Sequence, residues 1–300
     1  MRLSIIIPVL NGKKYLDDTL KSLSYFQKPN GCSCELIFQN GLSTDGTTDV
    51  IDAFCSRNPH SYHYSEKDGG QSDAINRGVS RATGDWVTWL CADDMILPNL
   101  WQALEEADQT QADIVYGDVV FFIENQFIPA IGTETHCKGK LAKNRLIIQQ
   151  PGTCIRRSVW HEFGGVNPRL NWMMDYDLFL RMESKNRKFY RSKQFVAAAL
   201  IHKDAKTSSG SIRRLLEIWA IIFRSHLRQA RYFRLKPYYV YLLEYIIKNI
   251  ESRDLKSEFL LKFLFKLHRL FWLLSIPEEK DDIEKRFQDI PDFTFTVAHL

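Results

Sequence analysis

Leu3–Val9, LSIIIPV, is a short, almost wholly apolar and largely β-branched run that stops at Asn11-Gly12. It shows no polar–apolar alternation, so it reads as a strand covered on both faces. Such a strand needs helices above and below it, and the sequence supplies them. Tyr15, Leu16, Leu20 and Leu23 recur at helical spacing, with Asp17 and Asp18 on the opposite face. ELIF (35–38) reads as the next strand, closed by QNGLSTDGT, a loop rich in turn formers. Thr48 to Phe54 reads as a helix, SYHYS (61–65) as a short strand, and Ala74, Ile75, Gly78, Val79 and Ala82 as a helical stripe. WVTWL (86–90) is a strand that runs out at Asp93-Asp94. The alternation continues to about residue 120 and predicts a parallel α/β sheet. Ligands in such sheets collect at the carboxyl ends of the strands. Asn11, the Asn40 loop and Asp93-Asp94 all fall there.

From about 113 to 200 the pattern loosens into short strands (DIVYGDVVFFI, FIPAIG, KFYRS, FVAAALI), with helices near 155–163 and 174–185. After Ser211 the chain reads as helical to about Ile276. Charge divides the chain at the same point. Between Arg213 and Arg269 there are 13 Lys and Arg against 5 acids, a balance of +8 in a protein whose net charge is +4. Two regions follow: 1–210, which holds the sheet, and 211–300, basic and mainly helical.

No stretch reaches ~18 uninterrupted apolar residues, so no membrane-spanning helix is expected. MRLSIIIPVLNG has a single arginine before a short apolar run, which does not make a signal peptide. The six cysteines (32, 34, 55, 91, 137 and 154) lack metal or redox spacing and read as free thiols in a reducing cytoplasm. Neither a G-x-x-x-x-G-K-[ST] nor a G-x-G-x-x-G segment is present. A nucleotide would therefore be held by loops, with a metal neutralising its phosphates.

Adjacent carboxylates repel, so Asp93 and Asp94 together call for a cation or a hydrogen-bond donor. At a strand end they suit Mg²⁺ or Mn²⁺, which prefer oxygen ligands and share them with substrate phosphates. The competing reading has Asp94 capping a helix that begins around Pro98.

SIIIPVLNG, ELIFQNGLSTDGT, SEKDGGQSDAINRGVSRATGDWVTWLCADD and GGVNPRLNWMMDYDLFLR, in that order, resemble the family 2 glycosyltransferases of GT-A fold. The resemblance runs from Ser4 to about His202. It implies a Rossmann-like, mostly parallel central sheet with flanking helices and inverting transfer of a sugar from a nucleotide-sugar donor with a divalent metal. UDP-sugars are the favoured donors, with other bases left open, and the acceptor is a saccharide or lipid-linked saccharide in surface polysaccharide assembly. By the same resemblance Pro8, Val9, Leu10 and Asn11 with Asn40 and Gly41 line the base and ribose. Asp73 and Arg77 border the nucleotide, and Asp93 and Asp94 bind the metal with His202 nearby. Asp175 is the general base, with Arg181 following it on the donor side. Gln149, Gln150 and Trp172 face the acceptor. Two positions depart from the family pattern: Asn40 where many relatives carry Asp, and Cys91 where Asp or Asn is usual.

The chemistry agrees with these roles. Direct displacement requires the acceptor hydroxyl to lose its proton as it attacks, which a carboxylate within hydrogen-bond reach accomplishes. The leaving diphosphate gains charge that a metal and cationic side chains stabilise. Other readings stay open at several positions. Asp175 sits at an expected helix start, where any acid is favoured by the dipole, and Asp177 competes for the base role. Arg181 also fits a structural ion pair, His202 an ordinary core or surface histidine, and Trp172 core packing. The basic tail, with aromatics between its Arg and Lys, fits either docking to an anionic membrane's inner face or a helical cap. Nucleic acid is not an expected partner. Two rival functions remain. A sugar-phosphate nucleotidylyltransferase would carry a G-x-G-T-R segment, which IIIPVLNGKK lacks. The other is a non-catalytic nucleotide-sugar binder.

Overall fold

The computed structural model describes residues 1–26, 28–123, 126–129, 135–136, 139, 141, 147–206, 212–229 and 246. Its class is the expected α/β. β1 (Arg2–Val9) pairs in parallel with β2 (Ser33–Asn40) on one side and β4 (Trp86–Trp89) on the other, and β3 (Ser61–Ser65) extends the parallel set beyond β2. The side chains of β1 divide by parity between two cores. Leu3, Ile5, Ile7 and Val9 join residues of α1 (Lys13–Tyr25), α2 (Thr47–Cys55) and α4 (Leu100–Gln109). Ile6 joins Ile75 and Val79 of α3 (Gln71–Arg81) on the opposite face. That second core also takes in α5 (Arg157–Glu162), α6 (Met174–Ser184) and α7 (Ile212–Gln229). The helix that opens the basic carboxyl-terminal region thus buries Leu215, Ile218, Ile221 and Ile222 in the core shared with α3.

The second half of the sheet is mixed. β8 (Cys154–Arg156) lies antiparallel between β4 and β6 (Ile114–Ile123), and β9 (Phe189–Leu200) runs parallel to β6. β5 (Asp94–Ile96) is antiparallel to β9 at the edge, and β7 (Gln126–Pro129) forms a hairpin with β6. The order is β3-β2-β1-β4-β8-β6-β9-β5. KFYRS and FVAAALI, expected as two strands, are the single strand β9, paired to β6 through a register irregularity near Tyr116–Val119. The helix expected at 155–163 begins only at Arg157, because Cys154–Arg156 pair into the sheet. The helical reading beyond Gln229 lies outside the described residues, Ile246 excepted. The capping role for Asp94 gives way: Asp94 opens β5, and the next helix starts at Leu100. The five described cysteines are free thiols, and Cys137 lies outside the described residues.

The sheet has to curl. From Trp89 to Asp94 a fully extended chain reaches about 17 Å, whereas β5 lies four strand positions from β4, about 19 Å in a flat sheet. The far edge bends back so that β5 and β9 finish beside the end of β4.

α3 sits close on β1 because Gly78 has no Cβ. A Cβ there would lie 2.4 Å from Ile6 Cγ2 and 3.0 Å from Ile6 Cγ1. Gly78→Ala should gain up to about 1 kcal/mol in helix propensity but lose about 1–3 kcal/mol to overpacking. A lowered melting temperature is the expected result; an unchanged or raised one would mean α3 can move away from β1 freely.

Candidate active site

The strand order reverses around β1, which has β2 on one side and β4 on the other. This is the switch point at which parallel sheets bind ligands. Two cavities meet there. The first, about 440 Å³, is lined by Pro8, Val9, Leu10 and Asn11 after β1, Asp68 and Gln71 around the start of α3, and Cys91 and Asp93 after β4. His202, Asp204 and Lys206 close it. The second, about 260 Å³, is lined by Asp93, Asp94, Gln149, Gln150, Trp172, Asp175 and Lys206, with apolar walls from Trp89, Val119, Phe121 and Met173. Gln71, Cys91, Asp93 and Lys206 belong to both, so one seam joins the two spaces.

Sequence-distant residues meet here through the β5–β9 pairing. Asp94 opposes Ala199, so the chain leaving β9 passes next to Asp93. His202 Nε2 then lies 2.9 Å from Asp93 Oδ2, and its ring lies against Tyr15 at 3.9 Å between centroids. Asp204 fixes the turn from the other side, accepting from Tyr15 Oη at 2.7 Å and Lys14 Nζ at 2.8 Å.

Asp94 is buried, and burial together with the Asp93 charge pushes its carboxyl well above the usual range. A cation between them would relieve that repulsion. The ligating atoms of Cys91, Asp93 and Asp94 all lie within 4.8 Å of one another. Burial keeps Cys91 a thiol, hydrogen-bonded to Asp94 and accepting from Gln71 Nε2 at 3.3 Å. The donors suited to a hard ion are thus two carboxylates, with the His202 imidazole adjacent, a set that fits Mn²⁺ or Mg²⁺.

Asp175 stands in the first turn of α6 on the wall of the second cavity. Burial pushes its pKa up to about 6, against the opposing effect of the Tyr176 N–H that it accepts at 2.7 Å. Its rival is engaged elsewhere: Asp177 receives Arg181 Nε at 2.8 Å and lines neither cavity. The geometry separates two carboxylates that the sequence left in competition.

Five expected donor residues line neither of the two cavities. Asn40 is fully buried beneath α2. Its oxygen accepts from Ser43 N and Oγ, and its NH₂ donates to Thr48 Oγ1 and His63 Nε2. The Nδ1–H of His63 donates in turn to Asp52 Oδ1 at 2.6 Å. Asn40 therefore holds the loop instead of facing a base. Asp73 and Arg77 pair with each other at 2.9 Å, Asp73 accepting Gly69 N and Arg77 donating to Lys67 O, which clamps the approach to α3. Arg181 donates to the Phe163 and Gly165 carbonyls besides Asp177, which fixes the turn at Gly164 without reaching either cavity. Gly41 packs against two lining residues without lining the cavity itself: a Cβ there would come 2.8 Å from Asp68 Oδ2 and 3.5 Å from Leu10 Cδ1. Of the residues expected to face the acceptor, Gln149, Gln150 and Trp172 all line the second cavity, and Gln150 also donates to Trp89 O at 2.8 Å.

Sequence reasoning missed Asp68, Gln71, Tyr15, Asp204 and Lys206. Asp68 sits in the same SEKDGGQSDAINRG motif as Asp73, but nothing in its spacing says that it and not Asp73 faces inward. Lys206 follows His202 by one turn, and Lys203 is just as basic.

A model of the family described as glycosyl transferase family 2 matches residues 4–161. A PGL/p-HBAD biosynthesis glycosyltransferase of Mycobacterium bovis is 30% identical over 186 residues, 59% of this chain and 68% of that protein. Glycosyltransferase GlyG of Streptococcus pneumoniae is 27% identical over 154 residues, and the match spans half the length of each chain. Among solved structures, S. aureus TarS 1–349 in complex with UDP-GlcNAc superposes with a TM-score of 0.63 at 17% identity, covering 94% of this chain and 84% of that one. The mannosyltransferase PcManGT of Pyrobaculum calidifontis, in complex with GDP-Man and Mn²⁺, gives 0.57 at 14% identity, covering 99% and 84%. These two likenesses concern the fold. The family match covers over half of the 300 residues and includes each loop that reaches the first cavity from β1, α3 and β4; the chain belongs to glycosyl transferase family 2.

Proposed function

We propose that the chain is an inverting, metal-assisted glycosyltransferase that moves a sugar from a nucleoside-diphosphate sugar to a saccharide or lipid-linked saccharide acceptor. The observation that carries this reading is the shared seam: the metal-type carboxylate Asp93 borders both cavities, and Asp175 lies on the wall of the second. A donor with its nucleotide in the first cavity would bring its anomeric carbon to the seam, open to attack from the Asp175 side. Asp175 takes the acceptor's proton, and Asp93 and Asp94 with His202 would hold Mn²⁺ or Mg²⁺, whose charge would offset that of the leaving diphosphate. UDP-sugars are the favoured donors. The relatives TarS and PcManGT, named with UDP-GlcNAc and GDP-Man, support a nucleotide sugar of either base. A role in surface glycan synthesis draws support from the relative named for PGL/p-HBAD biosynthesis.

Asp175→Asn should leave nucleotide-sugar affinity unchanged and lower kcat by on the order of 10²–10⁴. Comparable turnover in Asp175→Asn would remove it as the base. Wild-type kcat/KM should fall as pH drops through about 6, where Asp175 gains a proton. The stability sign is the opposite of the usual aspartate case. With its folded pKa raised from 3.8, ionised Asp175 disfavours the fold, and wild-type stability declines as pH rises through about 6. Thermal denaturation should find Asp175→Asn more stable than wild type above pH 6, with no difference near pH 3.

Asp93→Ala and Asp94→Ala should each abolish Mn²⁺-dependent nucleoside diphosphate binding in a folded protein. Wild-type binding that is equally tight in excess EDTA would refute the metal assignment.

No helix among the described residues is long and apolar enough to cross a membrane. α7 nevertheless exposes Ile212, Leu216 and Phe223 beside exposed Arg213 and Arg224, on the face opposite its buried residues. This supports reversible docking of the region from 211 onward to the inner face of an anionic membrane, each basic residue near the surface contributing about 1 kcal/mol. Co-sedimentation with vesicles should require anionic lipid and weaken with salt; no binding at low salt would favour a helical cap.

A further inference from the structure

We propose that Lys206 holds the leaving diphosphate at the seam, working from a cradle formed by Gln71 and Asn171. The inference rests on the nucleotide-sugar reading above and names a catalytic residue for it.

Lys206 is the only Lys or Arg among the described residues that lines both cavities. Its Nζ donates to Gln71 Oε1 at 3.0 Å and to Asn171 Oδ1 at 3.4 Å, and stands 5.9 Å from the centre of the Trp172 ring. Gln71 opens α3 on the nucleotide side, whereas Asn171 belongs to the loop before Asp175. The ammonium is thereby suspended between the donor and acceptor walls.

Charge singles out the same residue. The carboxylates of Asp68, Asp93 and Asp204 border the first cavity, and among the described residues the one Lys or Arg on that wall is Lys206. An anionic diphosphate entering such a space meets repulsion that a metal at Asp93-Asp94 offsets from one side only. Arg77 and Arg181, the cations expected near the donor, are bound to their own carboxylates away from the cleft. Arg214 borders the acceptor-side cavity alone, and Lys203 is exposed. The turn closed by Ala205 N–H donating to His202 O brings Lys206 back toward the seam on which His202 already sits.

During transfer, the bond between the anomeric carbon and the diphosphate oxygen breaks with its electron pair going to that oxygen. The acceptor oxygen bonds to the carbon, and the acceptor proton goes to Asp175. Charge grows on the diphosphate next to Lys206, where a fixed ammonium stabilises the transition state more than the ground state. The hydrogen bonds to Gln71 and Asn171 hold Nζ in place beforehand.

Calorimetric titration of the full chain in Mn²⁺ with UDP, UMP, GDP and GMP tests this. Lys206→Met should weaken the diphosphate that wild type binds by about 10- to 100-fold, the range for one charge-assisted hydrogen bond. The matching monophosphate should change by less than about twofold, and Lys206→Arg should recover most of the loss. Should Lys206→Met not fold, Lys206→Gln carries the same comparison. Equal weakening of mono- and diphosphate would mean that Lys206 only ties the Asn171 loop to α3, and no weakening would likewise overturn the proposal. Wild type that binds neither UDP nor GDP would bring down the nucleotide-sugar reading itself, an outcome distinct from a variant that matches a binding wild type.

Discussion

β1 is the constraint on which the other elements depend. It is paired on both edges, by β2 and β4, and packed on both faces, through Leu3, Ile5, Ile7 and Val9 on one side and Ile6 on the other. A strand so enclosed fixes where its neighbours run, because a one-residue slip would exchange its two faces. The chain leaving its carboxyl end is therefore held between the loops that follow β2 and β4. Asn11, with φ of 52°, makes the exit turn, donating from its N–H to Ser43 Oγ and accepting Thr44 N–H at its side-chain oxygen. The first cavity follows from that enclosure.

Its chemistry depends on the opposite end of the sheet. Two antiparallel strands, β5 and β9, bring Asp94 and the segment carrying His202 and Lys206 to the same edge. A buried ion pair stiffens the base of this arrangement: Arg191 on β9 meets Asp118 on β6 at 2.8 Å, both side chains almost wholly excluded from solvent. Removing one partner of such a pair typically costs about 3–5 kcal/mol. The curl that joins the two ends of the sheet and the register that aligns them thus rest on the half of the chain whose pattern is less regular.

Burial sorts carboxylates of identical chemistry into different tasks. Asp177 is neutralised by Arg181 within one helical turn, while Asp175, two residues earlier, faces the cavity and is raised by desolvation. Asp73 is bound to Arg77, whereas Asp68 borders the cleft. Each case sets an acid already satisfied by an arginine beside one left facing a space that a ligand could fill. A raised pKa near 6 suits a base that must be ionised at neutral pH yet hold a proton well enough to take one from a hydroxyl.

The sequence by itself determined the fold class and the location of the cleft. Uninterrupted apolar runs, helical stripes and turn-forming loops are local signals, and parallel strands leave one place for ligands to gather. The sequence's adjacent carboxylates marked Asp93 and Asp94, and the family resemblance added Asp175 and His202, while Asp177 stayed in competition with Asp175. Tertiary structure alone decided which side chains face that place. Asn40 ends its strand on the α2 face and spends its amide on Ser43, Thr48 and His63. Arg77 and Arg181 find partners one helical turn away, a choice that spacing permits but does not require. Lys206 reaches the seam through contacts with Gln71, 135 residues earlier in the chain, and with Asn171. Local periodicity records how a residue sits on its own element; which face meets a cavity depends on the packing of elements far apart in sequence, and that information exists only once the chain has folded.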